Sequence, residues 1–184
     1  MEIKIFFTRL LKKIVRILAV QIIEKYRPCV IAITGTAGKT SAKEAIAAVL
    51  HGERNVRKAQ GSFNTELGTP LTIIGDWDNN ELQLVSKYQP GGTAMAAKLW
   101  LWIKIIGYGV WSVITRVEYP EILILEYGIQ RPGDMDVLLQ IARPQVVVLT
   151  SLAEIPVHVS FFNNPEELID EKLKLLRAVP LNGF

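Results

Sequence analysis

Val30-Ile-Ala-Ile-Thr-Gly-Thr-Ala-Gly-Lys-Thr-Ser41 decides the fold of this chain. Val30 to Thr34 is a continuous apolar, β-branched run, which predicts a strand buried on both faces. Gly35 and Gly38 bracket a tight turn, and Lys39-Thr40-Ser41 opens the helical run Ala42 to Leu50. A strand, a glycine turn and a helix N-terminus in that order aim backbone N–H groups at an anion. Lys39 can reach the outer phosphates of a nucleotide and Thr40 can ligate Mg²⁺. The stretch Gly35, Thr36, Ala37, Gly38, Lys39, Thr40 and Ser41 is therefore the candidate binding loop for ATP or GTP. The general Walker pattern places a glycine five residues before Gly38, where Ile33 stands. Gly-x-x-Gly-Lys-Thr alone is a modest signal. The flanking strand and helix give it weight against the plainer reading, a glycine turn in an unrelated α/β protein.

The 184 residues suffice for one domain with a real core, and 49% hydrophobic content is high for a soluble one. A net charge of +3 makes no case for nucleic acid. The single cysteine, Cys29, excludes an internal disulfide and fits a reducing cytosol. It opens a predicted buried strand and reads as core. Two histidines, His51 and His158, exclude a multi-histidine metal cage.

Strong apolar strands alternate with amphipathic helices beyond the opening stretch. Strands are predicted at Val30–Thr34, Asn55–Ala59, Glu121–Glu126 and Gln145–Thr150. Helices are predicted at Lys39–Leu50, from Pro70 to Ile74, at Asp134–Ala142 and at Pro165–Val179. This is the pattern of an α/β fold, a doubly wound, mostly parallel sheet covered on both faces. Asp76 to Gly92 is polar and reads as turn-rich. The closing Pro180-Leu-Asn-Gly turn would normally lead into another strand, so the chain reads either as a sheet of few strands or as a fragment.

Two segments stand apart. In residues 1–27, Ile3, Phe7, Leu10, Ile14 and Ile17 recur at helical spacing among Lys4, Arg9, Lys12, Lys13 and Arg16. That is a basic amphipathic helix, suited equally to an anionic membrane surface or to packing on its own domain. Ala94 to Val117 is apolar and holds Trp100, Trp102 and Trp111, interrupted by Lys98 and Lys104. It reads as an interfacial or protein-packed helix, broken near Gly107-Tyr-Gly109, rather than a spanning one.

Four features accompany the loop. Glu126 ends the strand Ile122-Leu-Ile-Leu-Glu126, and a carboxylate at the C-terminal edge of such a sheet can hold Mg²⁺. Gly61-Ser-Phe-Asn-Thr-Glu-Leu-Gly68 offers the Asn64 amide to a phosphate or water. His158 follows the last strand after a short loop. Lys172, mid-helix beside Lys174, reads by pattern alone as a solvated helix lysine.

In this order the segments resemble the central domain of the Mur ligases: Thr-Gly-Thr-Ala-Gly-Lys-Thr-Ser; Gly-Ser-Phe-Asn-Thr-Glu-Leu-Gly-Thr-Pro-Leu-Thr; Ile-Leu-Glu-Tyr-Gly with Arg-Pro-Gly-Asp; Arg-Pro-Gln-Val-Val-Val-Leu-Thr; His158 with Phe161-Phe162; and Glu171-Lys172. The likeness is nearest to the branch that adds D-alanyl-D-alanine to a UDP-muramoyl-tripeptide. It covers about 28–184, incomplete at its C-terminal end, with an insertion at about 76–119. It implies an ATP-dependent carbon–nitrogen ligase of peptidoglycan synthesis acting through an acyl phosphate. ATP and Mg²⁺ are the implied cofactors. Gly35, Gly38, Lys39 and Thr40 would hold phosphates and metal, and Asn64 would lie nearby. Glu126, His158 and Lys172 would serve a second Mg²⁺, with Lys172 carbamylated by CO₂. Lys39, His158 and Lys172 are thereby the catalytic candidates. A UDP-muramyl-peptide and an amino acid or dipeptide are the implied partners. The cationic and tryptophan-rich segments themselves, not the resemblance, raise membrane-surface contact through 1–26 and 94–117, and the expected location is the cytoplasm, peripheral at the inner membrane face if that contact forms. The family's usual Asn-Phe-Asn-Asn is Ser62-Phe-Asn-Thr65 here, and its substrate-recognising flanking domains have no counterpart, so this chain alone is expected to bind nucleotide weakly and to catalyse nothing. The alternatives are a folylpolyglutamate-synthetase-like ligase and a membrane-associated nucleotide-binding module without ligase activity.

Overall fold

The structure, a computed structural model, describes residues 2–60, 67–86, 92–152, 161–181 and 183–184. A four-stranded sheet in the order β2-β3-β1-β4 lies at its centre. The strands are β1 (Cys29–Thr34), β2 (Val56–Lys58), β3 (Ile122–Glu126) and β4 (Val146–Leu149). Every pairing is parallel, with Ile31 opposite both Ile124 of β3 and Val146 of β4. Parallel neighbours require crossovers, and helices supply them. α2 (Lys39–Leu50) joins β1 to β2 and α6 (Asp134–Ile141) joins β3 to β4. The long excursion from β2 to β3 carries α3 (Gly68–Ile74), α4 (Asn79–Ser86) and α5 (Gly92–Ile114). α1 (Glu2–Tyr26) precedes the sheet and α7 (Pro165–Arg177) follows it.

Alternation along β1 and β3 divides the interior in two. Ile31, Ile33 and Ile124 meet α2 through Ala47 in a small core. Val30, Ala32, Leu123 and Leu125 face a larger core built from α1, α3, α5, α6 and α7. The doubly wound α/β architecture predicted from the sequence is the one that forms. Past α7, the Phe184 N–H donates to Gln145 O at 3.0 Å and the Val147 N–H to Phe184 O at 2.7 Å, so the chain returns beside β4.

Three local expectations are corrected. The inward stripe of α1 is Val15, Leu18, Ala19 and Ile22, while Leu10 and Ile17 are exposed. Both stripes are apolar at helical spacing, and packing against α3 and α5 chose between them. The stretch 76–92 is not merely turns. Asp78 Oδ1 accepts from the Glu81 N–H at 2.7 Å and Glu81 Oε2 from the Asp78 N–H at 3.1 Å, a reciprocal cap that starts α4. α5 also runs unbroken through Gly107 and Gly109. A Cβ on Gly109 would stand 3.0 Å from Leu18 Cδ1, so glycine there lets α1 approach closely. Lys25 Nζ donates to Ser112 O and Val113 O at 2.8 Å each, meeting the free carbonyls at the end of α5. Tyr26 stacks on Tyr119 with centroids 4.5 Å apart, fastening α1 to the excursion's return.

Candidate phosphate-binding site

β1 delivers the glycine turn to the C-terminal edge of the sheet, where open α/β sheets bind ligands. Gly35 has φ +146° and Gly38 φ +80°, conformations that favour glycine. A Cβ on Gly35 would also collide with Thr150 Oγ1 and lie 2.9 Å from Ser151 N. That crowding is a brace. The Thr36 N–H donates to Ser151 O at 2.8 Å, the Ala37 N–H to Ser151 Oγ at 3.0 Å, and Thr150 Oγ1 to Ala37 O at 2.6 Å. Two loop amides are thereby spent on holding the loop's shape. The N–H groups of Lys39, Thr40 and Ser41 precede the first helical bond of α2, from Ala42 N to Gly38 O. They have no helical acceptor and form the anion-facing end of the helix. Lys39 Nζ donates to Gly35 O at 2.9 Å, folding back over the turn.

A cavity of about 100 Å³ opens beside this turn, lined among others by Gly35, Thr36, Lys39, Tyr127, Leu168 and Lys172. It has room for several waters or a phosphate group. A wider hollow of about 640 Å³, near Arg27, Arg116 and Glu121, lies at the opposite edge, where β1 and β3 begin.

α7 brings Lys172 to the loop. Asn164 caps this helix through Oδ1, which accepts from the Glu167 N–H at 2.7 Å, and Pro165 sits in its first turn. Leu168 and Leu175 anchor the helix in the core. Lys172 is therefore not solvated: it is 6% exposed and its Nζ donates to Thr36 Oγ1 at 3.0 Å. Burial first, and then the charge of Lys39, push its pKa below the ordinary lysine value. Lys174, two residues on, points elsewhere and pairs with Asp136 at 2.6 Å and Glu171 at 2.8 Å.

Glu126 stands at the end of β3, in register with Ile33, and is 2% exposed. It faces Lys43 of α2. Oε1 and Nζ are 2.8 Å apart with both side chains sealed from solvent, an ion pair by distance although the angles do not make a hydrogen bond. Neither residue lines the cavity. The loop's glycines, free amides and Lys39 fit a nucleotide's phosphates. The carboxylate expected to hold Mg²⁺ does not fit that role while Lys43 faces it. Among the described residues, no three His, Cys, Asp or Glu side chains converge on a metal position. Thr40 is exposed in the first turn of α2. Asn64 and His158 lie outside the described residues.

Sequence reasoning missed several contributors. Thr150 and Ser151 support the loop, and their position just past a strand end was the available signal. Lys43 is one turn beyond Lys39, on a face turned to the sheet, and nothing in the pattern marks it. Glu171 Oε1 accepts from the N–H groups of Gly133 and Met135 at 3.0 Å each, capping α6 and tying it to the helix that carries Lys172.

No protein-family model matches the chain. It is 26% identical over 154 residues to the UDP-N-acetylmuramoyl-tripeptide–D-alanyl-D-alanine ligase of Bacillus subtilis, covering 84% of this chain and 24% of that protein. It is 27% identical over 165 residues to the ligase of the same name from Borreliella burgdorferi, covering 89% of this chain and 26% of that one. The crystal structure of MurF ligase from Thermotoga maritima in complex with ADP matches with a TM-score of 0.62 at 26% identity, over 91% of this chain and 30% of that chain. MurF from Acinetobacter baumannii matches at 0.61 with 18% identity, a likeness of fold alone. The chain spans about a quarter of the length of the curated relatives it matches.

Proposed function

We propose that this chain, a relative of the Mur ligases in sequence and fold, is the nucleotide-binding part of an ATP-dependent carbon–nitrogen ligase of peptidoglycan-precursor synthesis. The observation that carries the reading is the braced glycine turn with Lys39 folded over it and a buried Lys172 on Thr36. The amides of Lys39, Thr40 and Ser41 bind the outer phosphates, and Lys39 neutralises charge as it develops there. A carboxylate of a UDP-muramyl-peptide attacks the γ-phosphorus, forming an acyl phosphate as ADP leaves. The amine of an amino acid or of D-alanyl-D-alanine then attacks the acyl carbon, loses a proton and expels phosphate. The protein contributes alignment and charge neutralisation. ATP and a nucleotide-linked precursor place this chemistry in the cytoplasm.

Lys172 takes a particular part in this reading. A lowered pKa raises its neutral fraction, and a neutral amine can add CO₂ and release a proton, giving a carbamate. That anion at Thr36 would suit a divalent cation next to the phosphates. Asn64, Glu126 and His158 keep the roles that the family likeness implies, with Glu126 exchanging Lys43 for a cation. Calorimetric titration with ADP and ATP, with and without Mg²⁺, tests the assignment. Saturable binding that Lys39→Ala weakens at least roughly tenfold supports it. Equal affinity in the variant rejects it.

A further inference from the structure

α5 has one face that this protein leaves uncovered. Leu101, Trp102, Ile105 and Ser112 are buried on its inner side. On the outer side Met95, Leu99, Trp100, Ile103, Trp111 and Ile114 are exposed, Trp100 by 69% and Ile114 by 75%. Met95, Leu99 and Ile103 are four residues apart, Trp111 follows two turns on past Gly107, and Trp100 and Ile114 flank them, so these positions share one side of the helix over about 28 Å at the rise of an α-helix. A contiguous apolar stripe with two exposed tryptophans is far from the scattered single hydrophobes of an ordinary surface.

The charge around the stripe selects its occupant. No Asp or Glu lies between Glu81 and Glu118 in the chain, whereas Lys98, Lys104 and Arg116 do, although Lys104 is paired with Glu81 of α4. α1 runs alongside, with Leu18 against Gly109 and Lys25 on the last carbonyls of α5. Between Glu2 and Glu24 it carries Lys4, Arg9, Lys12, Lys13 and Arg16 and no acidic residue. Tryptophan and leucine beside clustered cations are the composition of a helix lying in the headgroup region of an anionic bilayer. α5 is long and apolar enough to cross a membrane. Crossing would withdraw Leu101, Trp102 and Ile105 from the core, so the helix lies on the surface. Pairing of two copies through this face would bring their cationic α1 helices together, which like-charge repulsion opposes.

We infer that the exposed stripe of α5, with the basic α1 beside it, docks this protein on an anionic lipid surface. The inference is independent of the ligase reading. The full chain is tested by co-sedimentation with phosphatidylcholine vesicles with and without phosphatidylglycerol, and by tryptophan emission. The expected result is binding to the anionic vesicles with a blue shift, weakened by salt. Trp100→Ser/Trp111→Ser should lower partitioning roughly tenfold while circular dichroism stays native, because both positions are exposed. Arg9→Glu/Lys13→Glu should lower it as well. Absence of sedimentation at low salt, or unchanged partitioning by both variants, overturns the inference. So does a concentration-dependent dimer that shields both tryptophans without vesicle binding.

Discussion

Lys43 Nζ and Glu126 Oε1 lie 2.8 Å apart between α2 and β3, with side-chain exposures of 0% and 1%. Two opposite charges withdrawn from water offset one another's desolvation, and removing either leaves the other uncompensated. Lys43→Met or Glu126→Leu should therefore lower the unfolding free energy by about 3–5 kcal/mol. The double variant Lys43→Met/Glu126→Leu should recover most of that loss. A urea double-mutant cycle measures the coupling, and simple additivity of the two single losses would show that the pair does not act as a unit.

The two loop glycines should differ in what they tolerate. Gly38 has φ +80° and only an ordinary contact at its Cβ position, 3.7 Å from Thr150 Cβ, so Gly38→Ala should cost about 1–2 kcal/mol for the left-handed backbone alone. Gly35→Ala adds contact with Thr150 Oγ1 and the Ser151 backbone, worth about 1–3 kcal/mol more. Adding Thr150→Ala should relieve only part of it, because Ser151 N and O remain at 2.9 and 3.0 Å. Chemical denaturation of the three variants gives the comparison, and equal losses at Gly35 and Gly38 would refute the brace.

Lys172 should shape the alkaline limb of stability. Its pKa in the folded protein is lowered from 10.5, by burial first and by Lys39 second. Between the folded and unfolded values, the unfolded chain binds more protons. Stability should therefore rise with pH through that window, and the burden should be complete below the folded value. Lys172→Met should flatten this rise in thermal melts followed from neutral to strongly alkaline pH. Lys39→Met should shrink it without abolishing it, since burial is the larger cause. A wild-type slope retained in Lys172→Met assigns the effect to another group.

Glu171 should stabilise the protein through the start of α6. Its Oε1 accepts two backbone N–H groups, Gly133 and Met135, at 3.0 Å each. Glu171→Ala leaves both donors without that acceptor and should cost about 2–3 kcal/mol. Glu171→Gln keeps an acceptor oxygen but loses the charge, and should fall between. Hydrogen exchange at Gly133 and Met135 reads the local effect. Unchanged protection in Glu171→Ala would remove the cap from the account.

The alternation of apolar strands with helices was legible because a parallel sheet buried on both faces needs continuous hydrophobic strands, and Val30–Thr34, Ile122–Leu125 and Val146–Leu149 supply them. The glycine turn was legible because glycine spacing and a following Lys-Thr are local. α4 escaped because the surrounding polarity masked its Asp78–Glu81 cap. The break at Gly107-Tyr-Gly109 was expected from helix propensity, a term of about 1 kcal/mol that packing against Leu18 outweighs.

From sequence alone follow the fold class and the glycine turn with its Lys-Thr, since these rest on periodicity and on residues adjacent in the chain. Tertiary structure alone decided what Lys43, Lys172 and Glu126 do. Each is a charged side chain whose role depends on which distant group it meets and how much water remains there. The same rule turned Val15 and Leu18 of α1 inward and left Trp100 and Trp111 of α5 outside. Apolarity states that a face should be covered, and only the packing of the whole chain shows which faces were.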